Sequence, residues 1–152
     1  MEKGVFKMKL KVLIPLDGSE RSLHSINWLK KFLTQEEAEV TLLNIVEMAS
    51  YVPQISPLGE SLVFDLGELF QISKKRSFDT LDEGEKLLEG YEVEKLSLEG
   101  QSGDVILETA KNGGFDMVIM TKSSVMGLSR MIGSVTTKVV RDSEVAVVVV
   151  PE

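Results

Sequence analysis

The stretch LKVLIPLDGS, residues 10–19, decides how this chain folds. Leu10 to Leu16 is rich in aliphatic side chains and is closed by the turn formers Asp17, Gly18 and Ser19, so it reads as a strand. Immediately afterwards Leu23, Ile26, Leu29 and the pair Phe32-Leu33 recur at helical spacing, with Ser19 placed as the N-cap. The period switches from strand to helix within a few residues.

The same alternation runs to the end of the chain. Val40 to Val46 reads as a second strand, and its mostly aliphatic run suggests burial on both faces, as in a parallel sheet. From Glu47 to about Gly67 the pattern breaks, punctuated by Pro53, Pro57 and Gly59. Met48 to Leu66 is therefore expected to be the least ordered internal stretch. A polar helix follows over Glu68 to Glu89, with Leu69, Phe70, Phe78, Leu81 and Leu88 as its buried side and Gly90 placed to end it. Tyr91 to Leu98 reads as the third strand. Val105 to Ala110 marks a short helix that stops near Asn112-Gly113-Gly114. Asp116 to Thr121 is the fourth strand, Gly133 to Arg141 a helix, and Val145 to Val150 the fifth strand.

Strands separated by helices call for parallel pairing, because each crossover returns the chain to the same end of the sheet. The expectation is an α/β fold: residues 1–152 form a single domain, a doubly wound sheet of five parallel strands with helices on both faces. In such sheets ligands bind outside the carboxyl ends of the strands, at the point where the strand order reverses. That directs attention to Asp17, after the first strand, and to the Ser- and Gly-containing stretch 121–135, after the fourth.

Composition narrows the chemistry. There is no cysteine and the only histidine is His24, which excludes thiolate zinc sites, cysteine nucleophiles and most imidazole metal sites. A formal net charge of -7 argues against nucleic acid, which demands clustered cations. Asp65, Glu68, Asp79, Asp82, Glu83 and Glu85 scatter around the helix and read as a solvated face, not as metal ligands. Met1 to Gly4 lacks the apolar stretch of a signal peptide, and no run approaches the ~18–20 residues of a membrane span. A soluble, cytoplasmic protein is expected, with no membrane or nucleic-acid partner. The chain contains neither a P-loop nor a G-x-G-x-x-G fingerprint.

Taken together, KVLIPLDGS (11–19), GQSGDVI (100–106), FDMVIM (115–120), GLSR (127–130) with GSV (133–135), and VAVVVVP (145–151) resemble, in order, the universal stress protein family. The resemblance covers nearly the whole chain. It implies a five-stranded parallel sheet and a homodimer. It also implies an ATP site made by the aspartate after strand one, the tip of strand two, and a G-x-x-G loop followed at a distance by G-[ST]. By position these are Pro15, Asp17, Ile45 near the adenine, and Gly133, Ser134 and Val135 near the phosphates. The chain departs from the pattern in that loop: the two leading glycines fall on Thr121 and Ser124, or on Met120 and Ser123 when counted back from Gly133. A Cβ there holds backbone away from phosphate, so ATP is expected to bind weakly or not at all, with Mg²⁺ entering only alongside nucleotide.

The chain thus reads as a stress-response binding or signalling module with a degenerate adenine-nucleotide site and no catalytic residues. The alternative is a weak ATP hydrolase or phosphotransferase using Asp17 and the 121–135 loop. The last strand supplies the partner surface. Val145, Val147, Val148 and Val149 lie on an edge strand with no charge or proline inside it, and such an edge is expected to pair with its own copy.

Overall fold

The computed structural model describes residues 8–47, 66–122 and 132–151. Strand β1 spans Leu10–Pro15 and β2 spans Ala38–Val46; they pair in parallel along the whole of β1, from Leu10 opposite Ala38 to Pro15 opposite Leu43. Between them, a 3-10 turn over Glu20–Leu23 runs into helix α1, His24–Phe32. Ser19 caps this entry, its Oγ accepting the Ser22 N–H at 3.2 Å. Helix α2 (Leu66–Lys86), β3 (Glu92–Glu99), α3 (Ser102–Asn112), β4 (Met117–Thr121), α4 (Ser134–Asp142) and β5 (Ala146–Val150) complete the described chain. The strand order is β3-β2-β1-β4-β5, and every pairing is parallel. This is the expected doubly wound α/β sheet, with β1 at its centre.

The period-two alternation of β1 distributes its side chains to two cores. Val12, Ile14 and Leu16 join Val40, Leu42 and Ile119 under α1 and α2, where Ile26, Leu29, Leu81 and Leu88 close the layer. Leu13 points the other way, with Leu43, Val118 and Met120, and is covered by Ile106 and Ala110 of α3 and Val139 of α4. Burial of both faces explains why β1 and β2 read as continuous aliphatic runs.

Helix α2 departs from the sequence reading. Its buried face is Ser73, Ser77, Leu81 and Gly84, continued by Leu88 in the turn beyond it, whereas Phe78, assigned above to the buried side, is 48% exposed. Small residues let α2 lie close to the sheet. A Cβ on Gly84 would stand 2.6 Å from Leu16 Cδ1 and 3.0 Å from Leu42 Cδ1, so the apolar signal of this face is replaced by an absence of bulk. The helix ends at Lys86, and a turn delivers Gly90 at φ +87°, the left-handed conformation that glycine adopts without strain. On its outer side, Lys95 of β3 is held by Asp82 at 2.8 Å and by Glu85, and the hydrogen bonds to these carboxylates raise the ammonium above its ordinary pKa.

The central strands do not pair evenly. Strand β1 pairs with β4 only at Val12–Met117 and Leu13–Val118, while β4 stays paired with β5 through Thr121. Beyond Leu13, β1 and β4 part, and the residue that takes the next outer position is Pro15, which has no N–H to leave unpaired. A crevice therefore opens at the strand tips. Among the described residues no helix is long and apolar enough to cross a membrane. The stretch expected to be least ordered lies, from Met48 to Asp65, outside the described residues.

Candidate functional site

The crevice between the tips of β1, β2 and β4 is a cavity of about 120 Å³. Of the residues singled out from sequence, Pro15, Asp17, Ile45, Thr121 and Val135 line it. Gly133 and Ser134 stand at the start of α4, beside the cavity and outside its lining. Ser124 lies outside the described residues. The walls the sequence reading missed are Leu16, Leu43 and Ile106, which are apolar, and Ser22, Ser102 and Thr136, which carry hydroxyls; Met120, the alternative position for a family glycine, also lines the cavity. A serine before a helix gives no signal that separates a lining residue from a cap, so these had no distinguishing mark.

Each wall is fixed by an identifiable bond. Asn44 donates through Nδ2 to the Leu16 carbonyl at 2.7 Å and ties the tip of β2 to the exit of β1. Thr136, 4% exposed, donates through Oγ1 to the Thr121 carbonyl at 3.0 Å and seats the first turn of α4 on the end of β4. Gly133 N–H donates to the Lys122 carbonyl at 2.9 Å and completes that junction. Asp17 orders its own turn, its Oδ1 accepting the Ser19 N–H at 2.8 Å and the Ser19 hydroxyl at 2.5 Å. Gly18 follows at φ +85°, which only glycine takes without strain. Asp17 is nonetheless exposed at the cavity mouth, where it also borders a second recess of about 320 Å³ toward Arg76 and Thr80 of α2.

Two helices begin at this site, and their ends differ. The start of α3 is occupied by a carboxylate of the protein itself: Glu47 Oε1 accepts both the Ser102 N–H, at 2.9 Å, and the Ser102 hydroxyl, at 2.5 Å. The N-cap of α4 is Gly133, which has no side chain to turn back on the helix, so among the described residues α4 has no side-chain cap from its own N-cap position. Free amides at a helix start, together with the positive end of its dipole, favour an anion. Among the described residues the cavity therefore combines apolar walls with a helix start that its own N-cap residue leaves without a side-chain cap.

Thr121 is the last residue of β4 with extended backbone, and no non-glycine residue among those described has positive φ. Thr121 thus carries no backbone strain. Its cost to a ligand is the room its side chain takes from the cavity it lines. Among the described residues no group of three or more His, Asp or Glu is gathered as a metal site.

The parallel sheet with its surrounding helices is shared with known proteins. A model of the universal stress protein family matches residues 8–151. The chain belongs to that family. Universal stress protein MJ0531 of Methanocaldococcus jannaschii is 29% identical over 147 residues, covering 92% of this chain and 81% of the relative. The solved structure of MJ0577 from the same organism superposes with a TM-score of 0.79 at 25% identity, covering 97% of this universal stress protein and 98% of the other. A universal stress protein from Arabidopsis thaliana, solved with AMP bound, has a TM-score of 0.65 at 17% identity and covers 94% of this chain and 92% of its own.

Proposed function

We propose that this universal stress protein is a nucleotide-responsive binding module. An adenine nucleotide enters the crevice with its ring against Ile45 and Val135, Asp17 at the mouth toward the ring's amine, and its phosphates toward the amides of Gly133, Ser134 and Val135. The observation that carries the reading is the pairing of an apolar-walled cavity with the uncapped start of α4. AMP in the Arabidopsis relative supports the ligand class. Thr121 and Ser124 stand where the family pattern has glycine and lower the affinity for the phosphate chain. Mg²⁺ enters with ATP; among the described residues no acidic cluster is gathered to hold it alone.

The working unit in this reading is a homodimer joined through β5. That strand is the sheet edge beyond β4, and its residues Val147, Val148 and Val149 are only partly buried in the single chain.

Thermal denaturation with AMP, ATP and Mg-ATP tests the nucleotide reading. A ligand present at 100 times its dissociation constant stabilises a fold by about 2.7 kcal/mol, and the expected midpoint shift with millimolar Mg-ATP is smaller than this implies. Thr121→Gly with Ser124→Gly is expected to enlarge it. No shift with any adenine nucleotide, in either protein, removes the nucleotide reading; a full shift in the unmodified protein removes the claim of a degenerate site.

A further inference from the structure

We infer that the groove between α3 and the outer strand β3 docks an extended, basic segment of another protein. Among the described residues helix α3 packs chiefly on β2 and α4 and leaves β3 less covered on this side of the sheet. Leu96 and Leu98 remain half-buried and form, with Val105 and the edge of Phe115, the apolar floor of a groove of about 550 Å³. This groove lies apart from the nucleotide crevice and shares no residue with it.

Charge identifies the occupant. Glu94, Glu99 and Glu108 line the groove, Glu94, Glu99 and Glu108 are all exposed, and none has an ion-pair partner among the described residues. Several other acids do have a cation beside them: Asp82 with Lys95, Asp104 with Lys138, Glu144 with Lys111 and Glu92 with Lys9. The lysine in the groove, Lys11, is committed otherwise; its Nζ donates to the Gly113 carbonyl at 2.7 Å and sits 5.0 Å from the centre of the Phe115 ring. An apolar floor lined by uncompensated carboxylates fits a segment that alternates aliphatic and cationic side chains.

The backbone supports the same occupant. Gly100 N–H donates to Val46 O at 3.2 Å, so the strand alternation turns the N–H and C=O groups of Val93, Lys95, Ser97 and Glu99 away from β2. Lys74 Nζ reaches only the Ser97 carbonyl, at 3.4 Å. A strand added to this edge gains main-chain bonds and lays alternate side chains over Leu96 and Leu98. Nucleic acid is disfavoured by the carboxylates, and a second copy of β3 would set Glu92, Glu94 and Glu99 against their like.

The test is an amide-resolved NMR titration of the whole protein with a blocked peptide alternating lysine and valine, and with one alternating lysine and glycine. Expected are shifts at Val93, Lys95, Leu96, Ser97, Leu98 and Glu99, and about tenfold tighter binding of the valine peptide, since burying even one valine is worth a factor of that order. Glu94→Lys with Glu108→Lys, both surface changes, should weaken it about fivefold or more without altering the rest of the spectrum. Equal binding of the two peptides, shifts scattered over other acidic surfaces, an unchanged affinity in the double variant, or self-association through β3 would each overturn the inference.

Discussion

Glu47, the first residue beyond β2, holds the first residue of α3 by two bonds to one oxygen: Ser102 N–H at 2.9 Å and Ser102 Oγ at 2.5 Å from Oε1. These residues are 55 apart in the chain, and their contact fixes the separation of two walls of the crevice. The bond also supplies α3 with the capping acceptor that its own N-cap residue, Gln101, does not provide. Loss of a helix cap costs about 1 kcal/mol, and for a domain of this size each such loss lowers the melting midpoint by roughly 2–4 °C. Glu47→Ala should show that drop, and Glu47→Gln, which keeps an acceptor, should recover most of it. An unchanged midpoint in Glu47→Ala would mean the contact carries no stability.

Thr136 is the corresponding tie on the other side of the crevice. Thr136→Val keeps the shape of the side chain and removes its donor, leaving the Thr121 carbonyl without the Oγ1 partner. Such an orphaned group costs roughly 1–3 kcal/mol. Thr136→Val should therefore melt earlier and bind AMP more weakly, because the first turn of α4 loses its seat; Thr136→Ser should restore both. Weaker AMP binding with no restoration by serine would argue that the methyl group, not the hydroxyl, holds the site.

Gly84 tests how closely α2 must approach the sheet. A Cβ at this position meets side-chain ends of Leu16, Leu42 and Ile26, all three in the core. Overpacking of this kind costs ~1–3 kcal/mol, and a β-branched residue adds crowding within the helix. Gly84→Val should lower the midpoint by about 5–10 °C in a calorimetric scan. A variant as stable as the parent would show that α2 can lift without loss.

The dimer through β5 can be separated from the strand's own place in the sheet. Val150 O accepts the Lys122 N–H at 3.0 Å, so by alternation the Val147 and Val149 amides face away from β4. Val147→Pro removes one outward donor, and proline is tolerated on edge strands. Light scattering should find a monomer of native melting behaviour, whereas Val148→Pro should damage the fold itself. A parent protein that is already monomeric at tens of micromolar would end the dimer proposal.

The chain's periodicity displayed the strands because β1, β2 and β4 are buried on both faces and are mostly apolar. Ser19 was legible as a cap from its place between a turn glycine and an apolar stripe. Helix α2 was not legible in the same way. Its contact face is built from Ser73, Ser77 and Gly84, which look solvent-facing in sequence, while Phe78 looks buried and is exposed. The crevice was half legible: Asp17 and Ile45 sit at strand ends, where the fold class directs attention, but Ser22, Ser102 and Thr136 are hydroxylic residues of a kind found at any helix start. No local pattern announces that Glu47 will cross to α3, since the bond depends on two strand tips meeting in space.

The position of β1 in the sheet sets an order of events during synthesis. Its second edge is closed by β4, and the bonds that close it join residues 105 apart: Lys11 N–H to Asp116 Oδ2 at 2.8 Å and, in return, Asp116 N–H to Lys11 O at 2.9 Å. A ribosome adds roughly 5–20 residues per second, so β1 waits on the order of 5–20 seconds with that edge bare. Strands β2 and β3 can join it meanwhile, since both are made first. A half-sheet of β1, β2 and β3 formed in that interval would carry β1 as an open apolar edge, the kind of surface that chaperones cover.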